Sequence, residues 1–182
     1  NATDAVAAAT IANQVNTTAG TTKTVSQSIK LTSNGSTYTV DGTSGVSEAD
    51  LVSKIGSYAK GTTVTLDKAA ASALQGTALK LPAGVTVVVS DGTNSVSATA
   101  KTASTVQVNG LSLSGTDGAS FSNVTIDAGS NAVTNHLKNA TVDTVTVKSG
   151  TVTTDDVTAA TLIMDGGSLT TAGTLTATTV TV

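Results

Sequence analysis

The chain contains no cysteine, tryptophan or arginine, and single copies of proline (Pro82), histidine (His136), glutamate (Glu48), phenylalanine (Phe121) and methionine (Met164). Each shortage closes a class of function. Without cysteine there is no disulfide framework and no thiolate metal centre. Nine lysines against twelve acids give a net charge of −3, and aromatics are 2% of the chain. Such a chain has neither a phosphate-neutralising face nor a stacking platform, so nucleic acid is excluded as a partner. No run approaches the roughly 18 apolar residues of a spanning helix, so membrane insertion is not expected. Charged residues make up 12%, about half the usual quarter. Few groups are therefore left to titrate, bind anions or catalyse.

What is present is threonine: 38 of 182 residues. Mean hydropathy is +0.18, and Val, Ile and Leu fall in strand-like patterns, so disorder is not expected. The length fits one domain, or one with a short appendage. A Cys-free chain rich in Thr, Ser, Asn and Gly reads as secreted and chemically quiet.

The Ala-rich segment from Thr3 to Val15 is expected to start as a short helix capped by Thr3 or Asp4, followed by a loop at residues 16–22. Val25, Ile29 and Leu31 then lead through Ser33-Asn34-Gly35-Ser36 into Tyr38 and Val40. Asn-Gly supplies the two positive-φ positions of a type I′ turn, so this is a β-hairpin. From Val46 to Ala59 a helix is expected, with acids in its first turn and a stripe of Leu51, Val52, Ile55, Tyr58 and Ala59. Thr62 to Leu66 reads as a strand, and Asp67 as the cap of a second short helix ending at Gly76.

Beyond Thr77, short Val-, Leu- and Thr-rich segments recur between Gly, Asn or Asp corners, among them Val96 to Ala100, Phe121 to Ile126, Ala140 to Val147 and Val157 to Met164, through to the segment Leu175 to Val182. This pattern predicts a mainly β fold: a right-handed parallel β-solenoid-like core with an N-terminal hairpin and a capping helix. A β-sandwich is the alternative, since strands every 8 to 12 residues read that way too. Residues 1–45 form the helix and hairpin appendage and 46–182 the solenoid-like domain, with its helix cap at 46–60. The cap has a physical reason, because an open solenoid end exposes core and unpaired backbone. At the other end Thr178 to Val182 stops in mid-strand. That predicts a truncated chain, or a following domain or neighbouring subunit over the end.

Candidate chemistry is sparse. Asp155-Asp156 is the only acidic pair, and neighbours on a strand point to opposite faces, so paired-carboxylate glycan hydrolysis is not expected. The four Asp-Gly steps read as turns, without calcium-loop spacing. Asp155 and Asp156 are the nearest approach to calcium ligands. His136 stands without a second His or any Cys. No serine elbow or phosphate-binding glycine loop occurs. Thr-x-Thr pairs at Thr63/Thr65, Thr144/Thr146 and Thr179/Thr181 can order water on a flat face, or can simply be good strand residues. The chain is thus expected not to be an enzyme, and to need no cofactor or metal.

The Cys-free composition, with Lys as the only strong cation, resembles lactobacillar surface-layer protein. The segment Ser33-Asn34-Gly35-Ser36-Thr37-Tyr38-Thr39-Val40 is similar to the Asn-Gly-Lys-Thr-Tyr-Thr-type hairpins of that family, with Ser36 where Lys is usual. The resemblance implies a structural protein whose partner is itself, forming a two-dimensional lattice on the cell wall. It also implies that binding to wall polymers belongs to a separate, basic, Tyr-rich region outside this chain. Ile29, Leu31 and Tyr38 of the hairpin, with Leu175, Val180 and Val182 at the other end, are the candidate self-assembly contacts. An adhesin module binding glycan or host matrix is the second reading, and a glycan-active β-helix enzyme the third.

Overall fold

A computed structural model describes residues 7–11, 15–17, 23–25, 29–33, 36–40, 46–47, 52–53, 55–116 and 118–182. Side-chain surroundings are described from residue 52 onward, except at 67, 69, 70, 73 and 130–136. The first strands are β1 (Ala7–Ile11), β2 (Val15–Thr17), β3 (Lys23–Val25), β4 (Ile29–Ser33), β5 (Ser36–Val40) and β6 (Val46–Ser47). After these come β7 (Thr63–Asp67), β8 (Leu79–Leu81), β9 (Thr86–Ser90), β10 (Ser95–Ala100), β11 (Ser104–Asn109) and β12 (Ser112–Thr116). The chain ends with β13 (Ser120–Met164), β14 (Ser168–Thr171) and β15 (Leu175–Thr181).

The fold is mainly β, a solenoid of about five turns with parallel stacked coils. Twelve strands form one sheet in the order β5, β4, β1, β7, β9, β10, β13, β12, β11, β8, with β14 and β15 both added to β13. The strand β13 runs for 45 residues. Laid straight it would span about 150 Å at ~3.3 Å per residue, so it must wind. It does so onto itself: the Asp165 amide donates to the Val147 carbonyl at 2.9 Å, a match 17 residues apart by the parallel ladder rule. The next steps are of similar length, with Thr154 opposite Thr171 and Val157 opposite Leu175. Between residues 79 and 116 the ladder is antiparallel instead: β9 pairs β10, β11 pairs β12, and β8 pairs β11.

Alternation explains what fills the interior. In β9 and β10 every second residue is buried, as a half-solvated sheet requires. Inside the coils lie Phe121, Val124, Ile126, Val142, Val145, Val147, Val152, Val157, Ala159 and Leu162. Most are small or β-branched, which suits a narrow interior between pleated walls.

Glycine turns the corner. Gly129, Gly150 and Gly167 have φ of 57°, 93° and 74°, the left-handed region that glycine enters without penalty. They are stacked on successive coils: a Cβ on Gly150 would lie 2.7 Å from Ala128 Cβ and 2.8 Å from the Gly129 carbonyl, and one on Gly167 would strike the Gly150 backbone. Asn139 and Asp156, with φ of 50° and 52°, take the same left-handed conformation, which short polar side chains tolerate.

The hairpin forms in the expected register, from Ile29 opposite Val40 to Ser33 opposite Ser36, leaving a two-residue loop whose residues, 34 and 35, lie outside the described residues. The Ala-rich helix is a correction. Residues 7–11 are the strand β1, laddered antiparallel to β4 and parallel to β7. Two flanking ladders outweigh the helix propensity of a segment too short to hold a helix alone. Part of the expected loop at 16–22 is likewise strand, since β2 runs to Thr17 and pairs β3. The expected helix at 46–59 is shorter than its pattern suggests: residues 46 and 47 are β6, and helical backbone occurs at 52, 53, 55 and 56. Part of its stripe faces inward, with Ile55 fully buried and Val52 and Tyr58 packed on the core, but Ala59 is exposed because the helical backbone has ended before it, and Leu51 lies outside the described residues. The second helix, Lys68–Ala73, is followed by Gly76 at φ 82°, and Ala71 and Leu74 join the core.

Candidate functional site

The candidate contacts from the sequence fall in two places. Leu31 stands opposite Tyr38 and Ile29 opposite Val40 across the β4–β5 hairpin, at one end of the strand order. Leu175 and Val180 lie on β15, which pairs only β13 among the described strands. Leu175 packs against the core, whereas Val180 is 55% exposed and Val182 is exposed as well. The two groups are not neighbours: β7, β9, β10 and β13 separate the hairpin and β1 from β15.

The acidic pair does not behave as strand alternation suggests. Asp156 sits at φ 52°, and this turn brings one oxygen of each carboxylate against Gly173, whose missing side chain leaves the room. Both acids have donors. Lys138 Nζ lies 3.1 Å from Asp155 Oδ2, and the Thr174 amide donates to Asp156 Oδ1 at 3.2 Å. The pair therefore ties three coils together at one corner. Among the described residues, no group of three or more metal-ligating side chains gathers, and no helix is long and apolar enough to cross a membrane. His136 lies on β13 with its side chain outside the described residues.

Among the described acids, Asp91 has the most altered affinity for protons. Its carboxylate accepts from the Asn94 side-chain amide at 3.0 Å, the Asn94 backbone amide at 2.7 Å and the Thr93 amide at 3.0 Å. The Asn94 side-chain bond leads these in lowering its pKa to about 2, because each donor favours the charged form. This is the local chemistry of a tight turn between β9 and β10. A second polar link crosses coils at the glycine corner: Ser149 Oγ donates to Asp127 and accepts from the Gly129 amide at 2.8 Å.

Two of the three Thr-x-Thr pairs share a wall. Thr179 and Thr181 lie opposite Thr161 and Ile163, and the 17-residue step sets Thr144 and Thr146 on the coil before. One row is thus threonine throughout, while Ile163 interrupts the other. Thr63 and Thr65 belong to β7, elsewhere in the sheet.

Two of the concave places combine polar groups from separate elements. One, of about 360 Å³, is lined by Lys60, Gly84, Thr99, Lys101 and Ser122. Lys60 folds its stem over Gly84, and Lys101 is paired with Asp143 at 2.9 Å. The other, of about 190 Å³, lies between the end of the helix and the β11–β12 hairpin, lined by Gln75, Gly76, Gln107, Asn109, Ser112 and Ser114. The sequence offers little signal for it, since Gln75 and Gln107 are 32 residues apart and meet only through the fold. Compared with known proteins, the chain matches no family model, and neither a curated protein nor a solved structure matches it.

Proposed function

We propose that this chain is a structural, self-assembling domain of a bacterial surface layer, secreted and held at the cell wall by a separate region. The observation that carries the reading is the edge strand β15. Its seven residues, Leu175–Thr181, pair with β13 alone among the described strands. Natural edge strands are usually blunted by lysine, proline, bulges or a covering element. This one carries no charge and no proline, and Val180 is exposed. The terminal strand β5, at the far end of the strand order, is likewise uncharged.

The occupant of this edge is a second copy of the chain. Two unlike edges meeting head to tail generate an open filament when the rotation does not close. A two-dimensional lattice needs a lateral contact besides, for which the Thr-covered walls are the available surface. Short hydroxyl side chains lose little rotamer entropy on packing, compared with long charged ones. Asp155 and Asp156 are each engaged by donors at a coil corner, which fits a structural role for the pair.

Electron microscopy and light scattering of the purified protein at rising concentration test this reading. Ordered filaments, tubes or sheets are expected, and Val180→Lys should reduce the product to monomer by placing a charge on the edge. A monodisperse monomer at every concentration sinks the proposal. Assembly unchanged in Val180→Lys removes β15 as the contact.

A further inference from the structure

The groove beside the β11–β12 hairpin carries chemistry that assembly does not use. Gln107 stands opposite Ser114 and Asn109 opposite Ser112. All four lie on the outward face, alternating with buried Val106, Val108, Leu111 and Leu113. Gln75 and Gly76 close the other wall, where the helix ends. The helix end and the hairpin approach each other at Gly110, at φ 56°, where an added Cβ would lie 3.7 Å from Ser72 Oγ. Three carboxamide residues, Gln75, Gln107 and Asn109, therefore line one hollow from two separate elements.

We infer that this groove binds a neutral saccharide unit. Each carboxamide offers two N–H donors and a carbonyl acceptor. Among the described residues, no side-chain hydrogen bond engages the amides of Gln75, Gln107 or Asn109. A sugar hydroxyl both donates and accepts, so pairs of hydroxyls complement carboxamides in either orientation. Among the described residues, no charged side chain lines the groove, which leaves a phosphate, carboxylate or ammonium ligand without a counter-charge from them. Among the same described residues no aromatic lines it either, so a nucleobase or flat ring finds no stacking partner there. The hollow, of about 190 Å³, is smaller than the ~300–1,000 Å³ pockets that take drug-sized ligands, so it suits a ligand no larger than a single ring. Amides already solvated by water exchange one set of hydrogen bonds for another, so a single site binds weakly and selects by geometry. Copies of the groove repeated on an assembled surface would add avidity, but the site itself does not depend on assembly.

A glycan array carrying neutral, sialylated and sulfated glycans, followed by saturation-transfer NMR with the best neutral oligosaccharide, tests the assignment. Saturable binding to a neutral glycan is expected, and the double variant Gln107→Ala/Asn109→Ala should weaken it about tenfold, as the loss of two hydrogen-bonding groups predicts. Far-ultraviolet circular dichroism and the thermal midpoint check that the variant is folded. Ser114→Tyr, which fills the groove from the exposed face of β12, gives a second route to the same loss. The proposal is overturned by no saturable binding to any neutral glycan, by binding restricted to the acidic ones, or by binding that both variants leave unchanged.

Discussion

Thr154 is a hydroxyl in a position that suits valine. It is 1% exposed, it shares the coil interior with Val152 and Val157, and its Oγ1 has no hydrogen-bond partner among the described residues. Leaving a buried hydroxyl unpaired costs about 1–3 kcal/mol, and valine has nearly the same shape. Thr154→Val should therefore raise stability by about 1 kcal/mol, read as a higher urea midpoint at unchanged slope. A lower midpoint would mean that the hydroxyl is satisfied within the fold. The adjacent Thr153 is the control: its Oγ1 lies 3.4 Å from Thr170 Oγ1 on the outer wall. Residue-scale reading of the sequence fails in a related way at Asp155 and Asp156. Alternation assigns neighbours to opposite faces, but a positive φ at Asp156 turns both acids toward Gly173. Nothing in an Asp-Asp step announces that turn, because the left-handed conformation is dictated by the coil corner.

At the scale of elements, the stacked glycines are the hinge of the design. Gly150 combines φ 93° with close backbone on the coil before it. Gly118 has φ 79° but open space around its Cβ position. The left-handed conformation alone costs a non-glycine residue roughly 1–2 kcal/mol, so Gly118→Ala should lose about that much. Gly150→Ala adds a clash with Ala128 and Gly129 and should lose at least ~2 kcal/mol, measured by chemical denaturation of both variants side by side. Equal losses would mean that the coils part easily at this corner. The same comparison explains which elements are legible in the sequence. Strands bounded by Gly, Asn or Asp are readable because the corner chemistry and the inward Val and Leu coincide, as in Val96 to Ala100 or Leu175 to Val182. The hairpin is readable because Asn34-Gly35 states its own turn. The Ala-rich stretch 7–11 is not, since its outcome rests on partners far along the chain, Thr63 to Leu66 among them. The continuity of β13 through three separate strand-like segments is hidden for the same reason. The amide groove is hidden more deeply, because neither half has a recognisable spacing.

For the whole molecule, the consequence of stacking coils is that stability is distributed along one axis. A solenoid coil contacts its neighbours and little else, so local opening is expected from the ends inward. Residues 140–147 have a coil on either side, through Ala119 to Thr141 and Val147 to Asp165. Residues 175–181 have β13 on one side alone among the described strands. Hydrogen exchange of the dilute protein should therefore be graded, with the amides of Val142, Val145 and Val147 slowest and those of Leu175 to Thr181 markedly faster. Uniform protection from 140 to 181 would mean that the coils open only by global unfolding, and would remove this one-dimensional picture. The same amides also report on assembly. If β15 is covered by a second copy, the backbone groups on its free side become paired, and exchange at 175–181 should slow as concentration rises while that of 142–147 stays unchanged. Slowing confined to the outer walls, at Thr144 or Thr161, would instead assign contact to the lateral faces. Because the gradient in dilute solution depends only on the fold, and its change with concentration only on the contact, one experiment separates the architecture from the assembly it is proposed to support.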